Sequence, residues 1–142
     1  MSSAKVVKSD GIYHLEGRPR ETFKILAHHR PSNIPGKSLI VGLVDMEPNA
    51  ASPPHTHGGS AVVACSIEGT VLNQMNSSAP FEVTKGGMWY EAPGCHHVRG
   101  ENASKTEKAS FFAVFVVDDE VVKDGYEGLV VVDQAVIDAK AA

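Results

Sequence analysis

The chain has 142 residues, with 13 basic and 17 acidic side chains and a formal net charge of -4; this is sequence for one domain around one hydrophobic core. Its 18 Val and 6 Ile against 6 Leu favour pleated sheet over helix, and 13 Gly with 8 Pro cut the sheet into short strands joined by tight turns, which excludes a helix bundle or coiled coil. No run reaches the roughly 18 apolar residues of a membrane-spanning helix, no basic stripe offers a nucleic-acid footprint, and no apolar segment follows Lys5 and Lys8, so a cytoplasmic setting is expected.

Residues 1–36 are expected to form an N-terminal arm with edge strands, around Ile12 to Leu15 and over Thr22 to Ala27. The loop from His29 to Gly36, broken by two prolines, closes the arm. Residues 37–142 carry the main β domain. Ser38 to Met46 reads as a buried strand, ended by the Pro-rich stretch Glu47 to Pro54. Ala61 to Ile67 turns at Glu68-Gly69 into Thr70 to Met75, and Phe81 to Thr84 precedes Met88 to Ala92. Pro93-Gly94 turns the chain into His96 to Arg99, and a polar loop runs from Gly100 to Lys108. Phe111 to Val117 is the clearest strand; Leu129 to Val132 is a late one, and Gln134 to Lys140 is predicted as a short helical tail. Turn signals every 8–12 residues or so mark a sandwich or a barrel.

Seven histidines are many for this length, and four of them fall in two tight groups. His55 and His57, two apart on an extended segment, point to the same side of a sheet. Both imidazoles can therefore reach one ion, and neutral imidazole suits Zn, Fe, Ni, Cu or Mn. A third ligand must come from a strand adjacent in space. His96 and His97 are the available donors, and as neighbours on a strand only one of them faces the site. His14 and the pair His28-His29 are expected to be ordinary surface residues.

The stretch from Pro54 to Gly69, with its His-Thr-His, resembles the first motif of the cupins, in which His-x-His is followed by a carboxylate and a glycine turn. Gly86 to His97, with Pro93-Gly94 before the paired histidines, resembles the second. The resemblance implies an all-β cupin-type jelly-roll barrel, with the short C-terminal helix as an addition, and a metal inside bound by His55, His57 and His97. Aligning Pro93-Gly94 on the family's turn makes His97 the ligand and His96 its outward neighbour. Two departures matter. The family's glutamate falls at Ala61, and in the second motif Ala92 stands where the family has a proline while Glu101 displaces Asn102.

Three further residues are candidates for catalysis. Alternation sends Trp89 and Glu91 to one face and Tyr90 to the other. If the first face is interior, Glu91 is a general base or a substitute ligand; if the second, Tyr90 is an acid or hydrogen-bond donor. Arg99 shares the parity of His97 and suits a substrate carboxylate or phenolate. Gln74 is a further candidate for the cavity wall, Cys65 for an inward position, and Cys95 for a small filler in a turn.

The expected cofactor is one divalent transition metal per chain: Fe, Zn, Mn or Ni. A three-histidine face leaves coordination positions open, and without a carboxylate it favours an acidic, oxygen-rich small molecule. The resemblance implies an enzyme acting on an enolisable or phenolic substrate, with dioxygenase chemistry ahead of a non-redox isomerase, cyclase or dehydratase. A non-catalytic ligand-binding barrel is the competing class. Long β-edges and the arm lead us to expect a homodimer, with neither nucleic acid nor membrane as partner.

Overall fold

The structure is a computed structural model that describes residues 5–141, with side chains through residue 137; the first four residues of the expected arm lie outside it. Thirteen strands follow one another in the described residues: β1 (Val6–Ser9), β2 (Ile12–Leu15), β3 (Thr22–His29), β4 (Lys37–Met46), β5 (Ala51–Ser52), β6 (His55–Thr56), β7 (Ala61–Glu68), β8 (Val71–Met75), β9 (Phe81–Val83), β10 (Met88–Glu91), β11 (His97–Asn102), β12 (Ala109–Asp118) and β13 (Val131–Val132). Two 3₁₀ turns, Asp119–Val122 and Glu127–Leu129, lie between β12 and β13, and the helix α1 (Gln134–Ala141) is the last of the described elements.

The main strands form two facing antiparallel sheets, which is the jelly-roll arrangement. One has five strands in the order β10-β7-β12-β4-β3; the other has the order β13-β6-β11-β8-β9, with β5 also paired to β11. The hairpin β1-β2 stands apart as a small two-stranded sheet. Strand β3 pairs with β4 along most of its length, so the expected edge strand belongs to the barrel wall.

Apolar side chains fix the register, because a one-residue slip on a period-2 strand would turn each buried face outward. On β4, Ile40, Val44 and Met46 point inward; on β12, Phe111, Ala113, Phe115 and Val117 do. Gly42 interrupts the inward row of β4, and a methyl group there would lie 2.6 Å from the Phe23 ring. The missing side chain makes room for that ring, which packs at 5.6 Å from Phe115.

Several boundaries differ from the sequence reading. The loop expected from Gly100 begins instead as the continuation of β11 to Asn102, because Gly100, Glu101 and Asn102 pair with β8. Leu129 lies in a 3₁₀ turn rather than a strand. Its side chain is 1 % exposed and packs in the main apolar cluster, so the apolar signal at Leu129 marks a core position and not a ladder position.

Candidate metal centre

Strand pairing brings the histidines together. His97 opens β11 directly opposite His55 on β6, and His57 follows two residues later. The ring centroids lie 4.8 Å apart for His55 and His57, 4.9 Å for His55 and His97, and 6.2 Å for His57 and His97. One nitrogen from each ring falls within 4.8 Å of the others. His96 is exposed and bonds Asp133 at 3.0 Å through Nδ1.

The outer nitrogens are held by the fold. His55 Nδ1 donates to the Pro53 carbonyl at 2.7 Å and His57 Nδ1 donates to the Leu129 carbonyl at 2.8 Å. A carbonyl only accepts, so both Nδ1 atoms carry protons and each Nε2 is left for the cavity, where that of His57 donates to Glu91 Oε1 at 3.0 Å and would bind an ion on losing its proton. Gly58, at φ +62 and tight against the Gly128 carbonyl, keeps the 3₁₀ segment close enough for that second bond. His97 Nε2 donates to Asn73 Oδ1 at 2.7 Å, which leaves its Nδ1 for the site. Partners of this kind commonly orient histidine ligands. Gly100 is part of the same arrangement, since a methyl group there would lie 2.8 Å from the His97 ring.

Glu91 completes the cluster. Trp89 and Glu91 face inward and are buried, while Tyr90 is 59 % exposed. Glu91 Oε1 lies 3.0 Å from His57 Nε2 and 3.5 Å from His97 Nδ1, and Oε2 accepts from Trp89 Nε1 at 3.2 Å. Neighbouring ligands on one ion with bonds of about 2.0–2.1 Å stand roughly 2.9–3.4 Å apart. The two distances from Glu91 lie near that range, and the three histidine nitrogens, within 4.8 Å of one another, form a group that could hold a metal ion.

The electrostatics follow from burial and from this carboxylate. Burial opposes the charge of Glu91, yet the hydrogen bond from His57 and the neighbouring rings outweigh it and hold its pKa down to about 2. Burial also works against a charged His57, but the bond and charge of Glu91 raise its pKa. Burial lowers that of His55 well below the ordinary value, helped by His97 and His57. His97 is lowered for the same first reason, with Glu91 opposing.

Other candidates take different places. Tyr90 is corrected to the outer face of the five-stranded sheet, because Trp89 and Glu91 occupy the inward positions of β10. Arg99 is corrected too. A β-bulge between His97 and Arg99 reverses the parity of β11, so Gly100 faces His97 while Arg99 is exposed and bonds Glu101 at 3.1 Å. Gln74 bonds the Ser78 carbonyl, and its neighbour Asn73 is the buried one. Ala61 and Cys65 share the outward parity of β7; the inward residue beside the histidines is Val62, whose cross-strand partner is Glu91. The carboxylate thus arrives from the next strand.

The cavity is small, with a volume of about 40 Å³, and its wall is mostly apolar, with Glu21 and Ser52 among its polar residues. Asn73 was legible in principle: Val71 and Met75 are its i±2 neighbours and mark the inward face of β8. Glu21, ahead of β3, carries no such signal.

No family profile and no curated protein matches the chain. Solved structures do. The cupin domain of Cnp3 from Schizosaccharomyces pombe aligns with a TM-score of 0.59 at 18 % identity, covering 83 % of this chain and 79 % of that one. A protein described as a putative mannose-6-phosphate isomerase from Ralstonia eutropha aligns at 0.57 and 20 %, covering 71 % and 88 %. Oxalate oxidase in complex with glycolate aligns at 0.54 and 20 %, covering 70 % of this chain but 52 % of its own, so the chain spans about half the length of that protein. The chain has the cupin fold, and inside it a three-histidine group with the geometry to hold a metal ion.

Proposed function

We propose that the protein is a metal-dependent enzyme that binds a small enolisable or phenolic molecule, with dioxygenase chemistry as its reaction type. The observation that carries this reading is the three-histidine group, one nitrogen of each ring within 4.8 Å of the others, with the Nδ1 atoms of His55 and His57 held by backbone carbonyls on their far sides. His55, His57, His97 and Glu91 would hold Fe, Zn, Mn or Ni. A bound ion would supply Lewis acidity and open positions for oxygen donors. The apolar wall excludes water, which strengthens polar interactions inside. Among structural neighbours, one is described as an oxalate oxidase bound to a substrate analogue, which supports small oxygen-rich ligands in this fold.

A second reading, a non-redox isomerase, cyclase or dehydratase, is favoured by Glu91 itself. Its ionised carboxylate at the cavity can take a proton from carbon next to a carbonyl. One structural neighbour is described as a putative isomerase.

The test is elemental analysis of untagged protein, followed by oxygen uptake on diketones, thiols and polyphenols after reconstitution with iron. We expect close to one metal per chain and consumption of oxygen with at least one substrate class. Less than about a tenth of an equivalent of any transition metal after reconstitution would sink the metalloenzyme reading. Zinc alone, with deuterium exchange at an acidic carbon and no oxygen uptake, would select the second reading. Full metal occupancy with neither signal would leave the ligand-binding barrel.

A further inference from the structure

Outside the barrel, on the outer face of the sheet that carries His55 and His97, charge is concentrated in one place. Arg99 and Glu101 point outward from β11 on either side of the inward Gly100, Arg18 follows the β1-β2 hairpin, and Lys105 lies in the loop after β11. With Asn49 and Asn102 they line an open depression of about 450 Å³. Glu101 is 8 % exposed and is shared: Oε2 accepts from Arg18 at 3.2 Å and Oε1 from Arg99 at 3.1 Å. The Lys105 side chain has no partner among the described residues. No other charged residue lines the depression, so two positive charges stand unneutralised there, in a chain whose formal net charge is -4.

The donors are also incompletely used. Arg18 gives Nε to the Asn49 carbonyl at 2.8 Å and Nη2 to that of Ala50 at 3.5 Å, whereas Arg99 makes only its bond to Glu101. A guanidinium has five N–H bonds in one plane, so most of those on Arg99 are free for a ligand. The walls are set in advance. Asn102 Nδ2 donates to the Glu47 and Glu107 carbonyls at 3.1 and 2.7 Å, and its Oδ1 accepts from Ser104 N at 2.9 Å, which shapes the loop carrying Lys105. Asn49, at φ 67, donates its backbone N–H to the Ser104 carbonyl at 2.9 Å and ties that loop to the one under Arg18. Donors fixed in this way lose little freedom on binding.

We infer that this depression binds the phosphate monoester of a small molecule. Such a group carries about −1.5 to −2 charge at neutral pH and three acceptor oxygens, which balances the two free positive charges; a carboxylate would balance only one. Planar guanidinium groups suit phosphate through paired N–H bonds, with lysine adding a point charge. The volume lies within the roughly 300–1,000 Å³ of small-molecule sites and leaves space for the organic part of the ester. Nucleic acid would call for a longer basic stripe, which the chain lacks. The site stands apart from the histidines and does not depend on a metal.

Calorimetric titration of the full chain at constant ionic strength supplies the test, with glycerol 3-phosphate, inorganic phosphate, acetate and glycerol as probes. Glycerol 3-phosphate should bind with a dissociation constant below about 1 mM. Inorganic phosphate should bind at least about 3-fold and acetate at least about 10-fold more weakly, and glycerol not at all. Arg99→Gln and Lys105→Gln should each weaken the ester about 10-fold, whereas Lys123→Gln, on the first 3₁₀ turn, should change nothing. Arg99→Gln leaves Glu101 paired with Arg18, and far-UV circular dichroism checks that each variant is folded; should it fail to fold, Lys105→Gln decides alone. Backbone amide shifts on adding the ester should fall at residues 49 and 102–105. No saturation by about 20 mM, binding unchanged in the variants, acetate or inorganic phosphate as tight as the ester, or shifts confined to residues 55–57 and 97 would each overturn the inference.

Discussion

The inner and outer faces of the same five-stranded sheet are built from nearly the same residue types, yet they are put to different uses. Inward, Ile40, Val62, Ala113 and Phe115 close a core against which His57 packs, its ring 5.6 Å from that of Phe115. Outward, Val63, Phe112 and Val114 have no described neighbour to cover them. Period-2 alternation separates adjacent residues such as Val62 and Val63 onto opposite faces, so apolar character alone does not say which face holds the site. The difference comes from the opposing sheet. Its strands β6 and β11 place polar groups where the inner face can enclose them.

Substitutions on the two faces should part company. Phe115→Ala should cost about 3–5 kcal/mol in urea unfolding, because it leaves a cavity under the histidines. Phe112→Ala, three residues earlier on the same strand, should change stability by no more than about 1 kcal/mol. Equal losses at the two positions would break the comparison.

Glu91→Gln removes the charge and keeps the shape. It should weaken metal binding by about 10–100-fold in a competition titration with a chromophoric chelator, whereas Tyr90→Phe, on the other face of β10, should leave the affinity unchanged. Asn73→Ala should lower metal affinity about 10-fold by freeing His97, and Gln74→Ala should not.

The smallest effect is with pH, in metal-free protein. The pKa values of His55 and His97 are lowered by burial, so just below about pH 6.5 the unfolded chain binds protons that the folded chain does not, and stability should rise with pH up to that point. His57 has a raised pKa and is charged in both states across that window. Above about pH 6.5 its proton is lost first from the unfolded chain, so its contribution falls as pH rises through the folded value. Glu91 contributes fully above about pH 4.5, and that contribution is lost as pH falls toward about 2. Thermal denaturation from pH 4.5 to 8 should therefore show a maximum near pH 6.5, and a monotonic profile would contradict the charge states assigned to the three rings.

Much of this was legible in the sequence because it is local. The Val-rich alternation and spaced Gly and Pro pointed to an all-β sandwich or barrel, and His-x-His placed two imidazoles on one face; both depend on chain geometry over a few residues. The choice of His97 over His96 came from the resemblance of Pro93-Gly94 to the cupin turn. The source of the carboxylate is not local. Ala61 falls at the family's glutamate position, but the chain itself gives no sign that Val62 is the inward residue or that β10 lies beside β7 with Glu91 opposite it. That is a cross-strand register, set by packing between residues almost thirty positions apart. The bulge that turns Arg99 outward and the 3₁₀ turn that brings the Leu129 carbonyl to His57 have the same origin. The sequence determined which side chains were available and their local parity; only the tertiary structure decided which of them met, because register, bulges and 3₁₀ turns are settled by the shape of the whole core.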